Sequence, residues 1–219
     1  CSERSNVALA GTGKFLGMPL AAPLDKYIAR YAGMAHVGAI DTYWKLTRAG
    51  VNMPRCEVPV DPYLVGAWIG DGTFGEAQIT NREPEIRAHC REFAERSGLR
   101  YQEREEPLKN SWTIMLTAGV GHHGGDNWLR RFFRNDCARD GAKVIPDCYL
   151  YNDAETRAAI LAGIIDTDGF LTHGTIEVIT VSPVLRDQYL YLARSLGLAT
   201  YTSEKIATIK SIGFTGLYH

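Results

Sequence analysis

Two nine-residue segments constrain this chain more than anything else in it: residues 64–72 read LVGAWIGDG, and residues 161–169 read LAGIIDTDG. Each is an apolar, helix-like run with small residues near its start, Gly66 and Ala67 in one, Ala162 and Gly163 in the other. Each ends on an aspartate, Asp71 or Asp168, followed by glycine. Small residues let two helix backbones approach closely, so the two segments are expected to pack on one another. If they pack in parallel, both carboxylates emerge side by side at one end. Adjacent carboxylates repel, which raises the pKa of one or demands a cation between them. A hard divalent cation with oxygen ligands, Mg²⁺ above all, suits such a pair. A single Asp-Gly after an apolar run is more often a plain turn; two copies in the same context argue for a site.

That context is an internal repeat. Residues 79–99 (ITNREPEIRAHCREFAERSGL) match residues 179–198 (ITVSPVLRDQYLYLARSLGL). Both open on Ile-Thr at the end of a β-like stretch and pass a proline, Pro84 or Pro183, into an amphipathic helix. Ile86 and Phe93 in one copy, and Leu185, Tyr189 and Leu192 in the other, keep helical spacing. Gly98 and Gly197 stand where a helix C-cap is wanted. Two β-like stretches follow each helix: 100–103 with 112–117, and 200–203 with 208–214. The recurring order is helix, strand, helix, strand, strand, which predicts an α+β fold with pseudo-twofold symmetry.

Composition is that of an ordinary globular chain, with 45% hydrophobic and 22% charged residues. Its apolar runs are far short of a membrane span. A net charge of −1 argues mildly against a surface built throughout for nucleic acid, although a groove can be basic locally. Arg130, Arg131, Arg134 and Arg139 cluster, opposed by Glu103, Glu105 and Glu106; a solvated face explains both clusters as well as a ligand does. Five cysteines without CxxC spacing give little support to a zinc site. Residues 11–14, GTGK, fail the Walker pattern. His122 and His123 sit among glycines and read as loop, and Trp128, Phe132 and Phe133 as core. The first 55 or so residues read as loop, with short helices at 24–32 and 42–49.

LAGIIDTDG resembles the LAGLIDADG motif, with Ile for Leu and Thr for Ala. LVGAWIGDG, with its lead-in DPY, resembles the divergent first copy found in intein-borne members of that family of homing endonucleases. Lys143-Val144-Ile145-Pro146 resembles their Lys-x-Ile-Pro segment. The resemblance covers roughly residues 58–218. It implies a LAGLIDADG fold of two αββαββα-like halves, 58–146 and 150–219, behind a remnant of an intein splicing region at 1–57. It also implies a β-saddle lying in the major groove of double-stranded DNA over a long asymmetric site, cut by a monomer to give staggered ends. Asp71, Asp168, Gly70 and Thr167 would form the metal site for Mg²⁺ or Mn²⁺, with the two aspartates as its carboxylate ligands. Lys143 would stabilise charge or polarise the attacking water. Gln78, Thr80, Arg82, Arg87, Lys205 and Lys210 are the expected groove contacts. Asp166, at the earlier acidic position, is expected to cap or pack. No membrane partner is implied, and an intracellular, nuclear setting fits a DNA target.

The second half is expected to be incomplete, because the chain stops before any counterpart of the 127–139 helix or of Lys143. Cys1 is expected to mark an excision boundary rather than a splicing nucleophile, since no Thr-x-x-His or terminal His-Asn accompanies it. A DNA-binding relic without activity, a self-splicing element and an RNA maturase of the same fold are the competing readings.

Overall fold

In this computed structural model the described residues are 7–9, 44–46, 49–118, 127–209 and 214–218, with side chains described over 49–118 and 127–204. The chain forms two compact units, residues 1–49 and 50–219. In the first, β1 (Val7–Leu9) pairs antiparallel with β2 (Trp44–Leu46). Residues 44–46 are therefore strand where local periodicity suggested helix. Pairing with a segment far back in the chain overrides a weak local preference. The expected helix at 24–32 lies outside the described residues, as do His122 and His123.

The second unit mixes helices with small antiparallel sheets and is α+β. Helix α1 (Pro62–Asp71) starts at Asp61, whose carboxylate accepts the Leu64 N–H at 3.0 Å, and proline occupies its first turn. Strand β3 (Gln78–Asn81), helix α2 (Pro84–Arg96), strand β4 (Arg100–Glu106) and strand β5 (Ser111–Thr117) follow. The three strands make one sheet in the order β3-β5-β4. Helix α3 (Trp128–Asn135) is shorter than the expected 127–139. The chain leaves it for a tight hairpin of β6 (Ala138–Arg139) and β7 (Ala142–Lys143), whose two turn residues, Asp140 and Gly141, have φ of 52° and 77°.

After the short helix α4 (Asp147–Leu150), helix α5 (Ala154–Asp168) carries the second motif. It begins seven residues before Leu161, because Asp153 caps it through the Thr156 N–H at 2.9 Å and the alanine-rich stretch behind is a strong helix former. A hairpin of β8 (Gly169–Thr172) and β9 (Thr175–Val178) leads to helix α6 (Pro183–Ser195). The last pair, β10 (Lys205–Ile209) with β11 (Phe214–Tyr218), lies a few residues later than the expected 200–203 and 208–214. Residues 201–204 are not in a strand.

Helices α2 and α6 end in the same way. Gly98 and Gly197 turn left-handed, at φ of 65° and 85°. The amides of Leu99 and Leu198 each reach back 2.9 Å to the carbonyls of Ala94 and Ala193. This is a Schellman closure in both. Buried Ile86, Phe93, Leu185 and Leu192 hold the helices to a single core around Trp68, which stacks on Phe133 at 4.4 Å.

Candidate functional site

The site is set by how α1 and α5 pack. A methyl placed on Gly66 would lie 2.2 Å from the Ile160 carbonyl oxygen and 3.2 Å from Gly163 Cα. One placed on Gly163 would lie 2.3 Å from the Tyr63 carbonyl oxygen and 2.7 Å from the Ala67 nitrogen. The two backbones thus touch, and any side chain at either position would force them apart. One turn on, a methyl on Gly70 would meet Thr167 Oγ1 at 2.1 Å and the Asp168 carboxyl carbon at 3.2 Å. Gly66 faces Gly163 and Gly70 faces Thr167, so both contacts advance along the two chains in the same direction. The helices are therefore parallel, and Asp71 and Asp168, the last residue of each, end together.

The glycines after the aspartates are not left-handed turns. Gly72 and Gly169 are extended, at φ of −74° and −79°. Their missing side chain matters because the chain folds back onto its own helix: a methyl would lie 2.3 Å from the Trp68 carbonyl oxygen in one case and 2.3 Å from that of Ile165 in the other.

The electrostatics follow from the packing. Both carboxyls have their pKa raised, first by loss of water. For Asp168 the charge of Asp71 raises it further; for Asp71 a hydrogen bond from Asn81 works the other way. Lys143 lowers both and is itself pushed down to about 8 by burial, against the pull of Asp168 and Asp71. Its ammonium donates to the carbonyls of Trp68, Ile69 and Gly70 at 2.9, 2.9 and 3.0 Å, and lies 5.0 Å over the Trp68 ring. All three N–H groups are thereby spent on the last turn of α1. Lys143 is a C-cap for the helix that ends in Asp71, a role the sequence reading did not include. Asp166 accepts a hydrogen bond from Tyr63 across the helix pair at 2.8 Å.

Beside the acids lies a polar cleft whose walls include Asp71, Thr80, Arg82, Asp166, Thr167 and Ser111. Among the described residues no group of three or more His, Cys, Asp or Glu side chains is placed to hold a metal ion; the carboxylate pair is two. Thr167 is turned back onto its own helix, donating to the carbonyls of Gly163 and Ile164.

Register sorts the expected groove residues. Gln78 pairs with Met115 and Thr80 with Thr113, and those two pair in turn with Gln102 and Arg104 on β4. Residues directly opposite share a face, so Gln78, Thr80, Gln102 and Arg104 stand on one side of the sheet. Arg104 hydrogen-bonds Glu106 there at 2.6 Å. Arg87 is not with them. It sits on α2, 4.8 Å over the ring of Trp112, on the opposite face. Arg82 is exposed and paired with Glu83 at 2.8 Å. Lys205 begins β10; Lys210 lies outside the described residues. The sequence reading passed over Arg100, Gln102 and Arg104, although RYQEREE alternates at the period of two that a strand requires. It also missed Asn81, which no local pattern marks.

Residues 144–215 match the family model described as Homing endonuclease. The chain also resembles the homothallic switching endonuclease of Saccharomyces cerevisiae, with 26% identity over 170 residues, covering 66% of this chain and 28% of that protein. The two matches support a homing-endonuclease-type assignment. A second relative is the replicative DNA helicase DnaB of Mycobacterium intracellulare, 31% identical over 156 residues, which are 71% of this chain and 22% of the helicase. The chain thus spans under a third of the length of either relative. No helix among the described residues is long and apolar enough to cross a membrane.

Proposed function

We propose that this chain is the nuclease part of an intein-borne LAGLIDADG homing endonuclease, hydrolysing phosphodiesters in double-stranded DNA with help from a divalent cation. The observation that carries the reading is the meeting of Asp71 and Asp168 at the ends of two parallel helices in backbone contact. A fold that desolvates two carboxylates against each other keeps negative charge where it is unfavourable unless a cation arrives. Asp71 and Asp168 would hold Mg²⁺ or Mn²⁺, with Gly70 and Thr167 beside them. Two carboxylates fall short of a protein cage, and that suits Mg²⁺, which commonly takes one or two carboxylates and completes its shell with water and substrate phosphate. When bound, such a cation supplies an activated water and neutralises charge on the scissile phosphate.

The remaining roles belong to the chain. Lys143 fixes the end of α1 and with it the backbone of Asp71, and its charge offsets part of the repulsion between the acids. Gln78, Thr80, Arg100, Gln102 and Arg104, on the sheet face turned from α2, carry donors and acceptors suited to base edges and phosphates. Lys205, the first residue of β10, would be a further contact. The recurrence of the motif helix and of the Schellman-closed helix supports two unequal halves in a monomer, and so a long asymmetric target cut to staggered ends. A helicase matched over 22% of its length is what an endonuclease embedded in a host protein would give, which supports the intein origin.

The test is a duplex fragment joining the host sequences on either side of this coding segment, incubated with the protein and Mg²⁺. Cleavage is expected, and Asp71→Asn and Asp168→Asn should each abolish it while retaining binding. Specific binding without any cut product would leave a DNA-binding relic in place of the nuclease. Cutting by both variants at the wild-type rate would overturn the assignment of the acids.

A further inference from the structure

The two acids are not held alike. The Asn81 side chain, 8% exposed, donates from Nδ2 to Asp71 Oδ2 at 2.5 Å, while its Oδ1 accepts the Glu83 backbone N–H at 2.8 Å. The second bond fixes which end of the amide is which. An N–H can only be met by the amide oxygen, so the NH₂ must face the carboxylate. Asn81 is also the last residue of β3 and pairs with Trp112 of β5, so the amide stands on a sheet rather than on a loop. In the internal repeat Ile79-Thr80-Asn81 matches Ile179-Thr180-Val181. Val181 is 58% exposed and has no donor to offer. Among the described residues no side chain hydrogen-bonds Asp168, and none reaches the other oxygen of Asp71.

From this asymmetry we infer that Asn81 is a positioning residue for Asp71, making Asp71 the pre-oriented ligand of the pair and Asp168 the adaptable one. The inference rests on reading the two acids as a cation site. The chemistry favours an amide in this role. A lysine or arginine at position 81 would hold the carboxylate equally well but cancel the charge that attracts a cation. A neutral donor orients the group, keeps it in its accepting form and leaves Oδ1 open. Partners of this kind, one step removed from a metal, are typically worth a tenfold to hundredfold change in metal affinity.

The probe is Mn²⁺ alone, titrated into the whole chain without DNA and followed by the electron paramagnetic resonance of the free ion. Asn81→Leu and Asn81→Ala are expected to weaken uptake about tenfold or more, and Val181→Ala to leave it unchanged. Melting without metal is measured alongside: a lower Tm with wild-type Mn²⁺ affinity would mean a merely structural Asn81 and overturn the inference. Asp71→Asn separates the two levels of the argument. If it binds Mn²⁺ as wild type does, or if wild type binds none, the cation site itself fails and the inference with it. If it loses binding while Asn81→Leu keeps it, only the role of Asn81 fails. Should the Asn81 variants not fold, the ¹⁵N resonance of the Asn81 side-chain amide in the unaltered chain decides the matter. It is expected to shift when Mg²⁺ is added to saturation, and a resonance that stays in place overturns the proposal.

Discussion

Gly66→Ala sets two physical effects against each other with opposite signs, and the structure says which wins. In a helix interior alanine is favoured over glycine by about 1 kcal/mol, so a solvent-facing Gly66 would yield a more stable protein on substitution. Here the added methyl would stand 2.2 Å from the Ile160 carbonyl oxygen and 3.0 Å from its carbon. Comfortable contacts lie at about 3.5 Å and beyond, so the helices would have to part by roughly 1 Å. Neither clashing atom can swing aside, because both are backbone. Overpacking of this kind costs about 1–3 kcal/mol, and rigid backbone on both sides argues for the upper end. The net expectation is a loss of about 2 kcal/mol, or roughly 4–8 °C in Tm for a unit of this size. Gly163→Ala should behave alike. The double variant should lose less than the sum, since helices already parted by one methyl have room for the second. Thermal unfolding followed by circular dichroism measures all three. A Tm for Gly66→Ala equal to or above wild type would refute the close backbone approach, and with it the adjacency of the acids.

Other expectations follow from single groups. Lys143→Met removes three donors from the last turn of α1, and hydrogen bonds from charged groups are worth about 1.5–3 kcal/mol each before relaxation; the urea midpoint should fall clearly, and an unchanged midpoint would remove the cap. Arg157 is fully buried and donates to Asn152 O at 2.8 Å, to Ser195 Oγ and to Val51 O, so Arg157→Leu should destabilise by more than about 2 kcal/mol in the same assay. Desolvation alone would raise the Asp61 carboxyl, but hydrogen bonds from His89 and the Leu64 N–H, with the charges of His89 and Arg96, together outweigh it and hold the group below 3.8, its ordinary value. A depressed carboxyl brings stability that is present above its unfolded value and lost as pH falls through the folded one. Asp61→Ala should therefore cost about 1 kcal/mol at pH 7 and progressively less below pH 4; a pH-independent difference would contradict the assignment. Asp168 is the reverse case, raised by desolvation and by Asp71. Its ionisation opposes folding above 3.8, so Asp168→Asn should be more stable than wild type at pH 7, by an amount that the exposure of the carboxyl to solvent keeps small, and no different from wild type in strong acid.

How much of this was legible in the sequence depended on whether the deciding force was local. Helix ends were legible. Gly98 and Gly197 turn left-handed because nothing else does so cheaply, and the small residues of the two motifs foretold a backbone contact. The α5 start was misjudged only in extent, since the apolar run marks where the helix is buried while Asp153 and the alanines decide where it begins. Residues 44–46 were misread because a distant strand chooses their conformation. Arg87 was grouped with Thr80 by nearness in sequence, although the sheet between α2 and the polar face separates them. The two partners of the acids were the hardest. Lys143 reaches the end of α1 across more than seventy positions, through a hairpin whose turn residues alone are local. Asn81 differs from any strand asparagine only by what lies beyond its amide.

These partners explain how the chain tolerates its own site. Bringing two carboxylates together and taking part of their water away opposes folding, and the apolar helix seam that forces the meeting offers neither acid a donor. The compensation comes from elsewhere: an ammonium that caps α1 and lies within electrostatic reach of both acids, and an amide on the neighbouring sheet. Each is buried or half-buried and each is held by bonds of its own, so neither has to be reorganised when charge arrives. On the proposed reading, an arginine in place of the amide would leave less charge for a cation to take up. Partial compensation leaves the corner negative; on the proposed reading a cation would take up that charge, so the stability expected to be gained by Asp168→Asn and the cleavage expected to be lost would share one electrostatic origin.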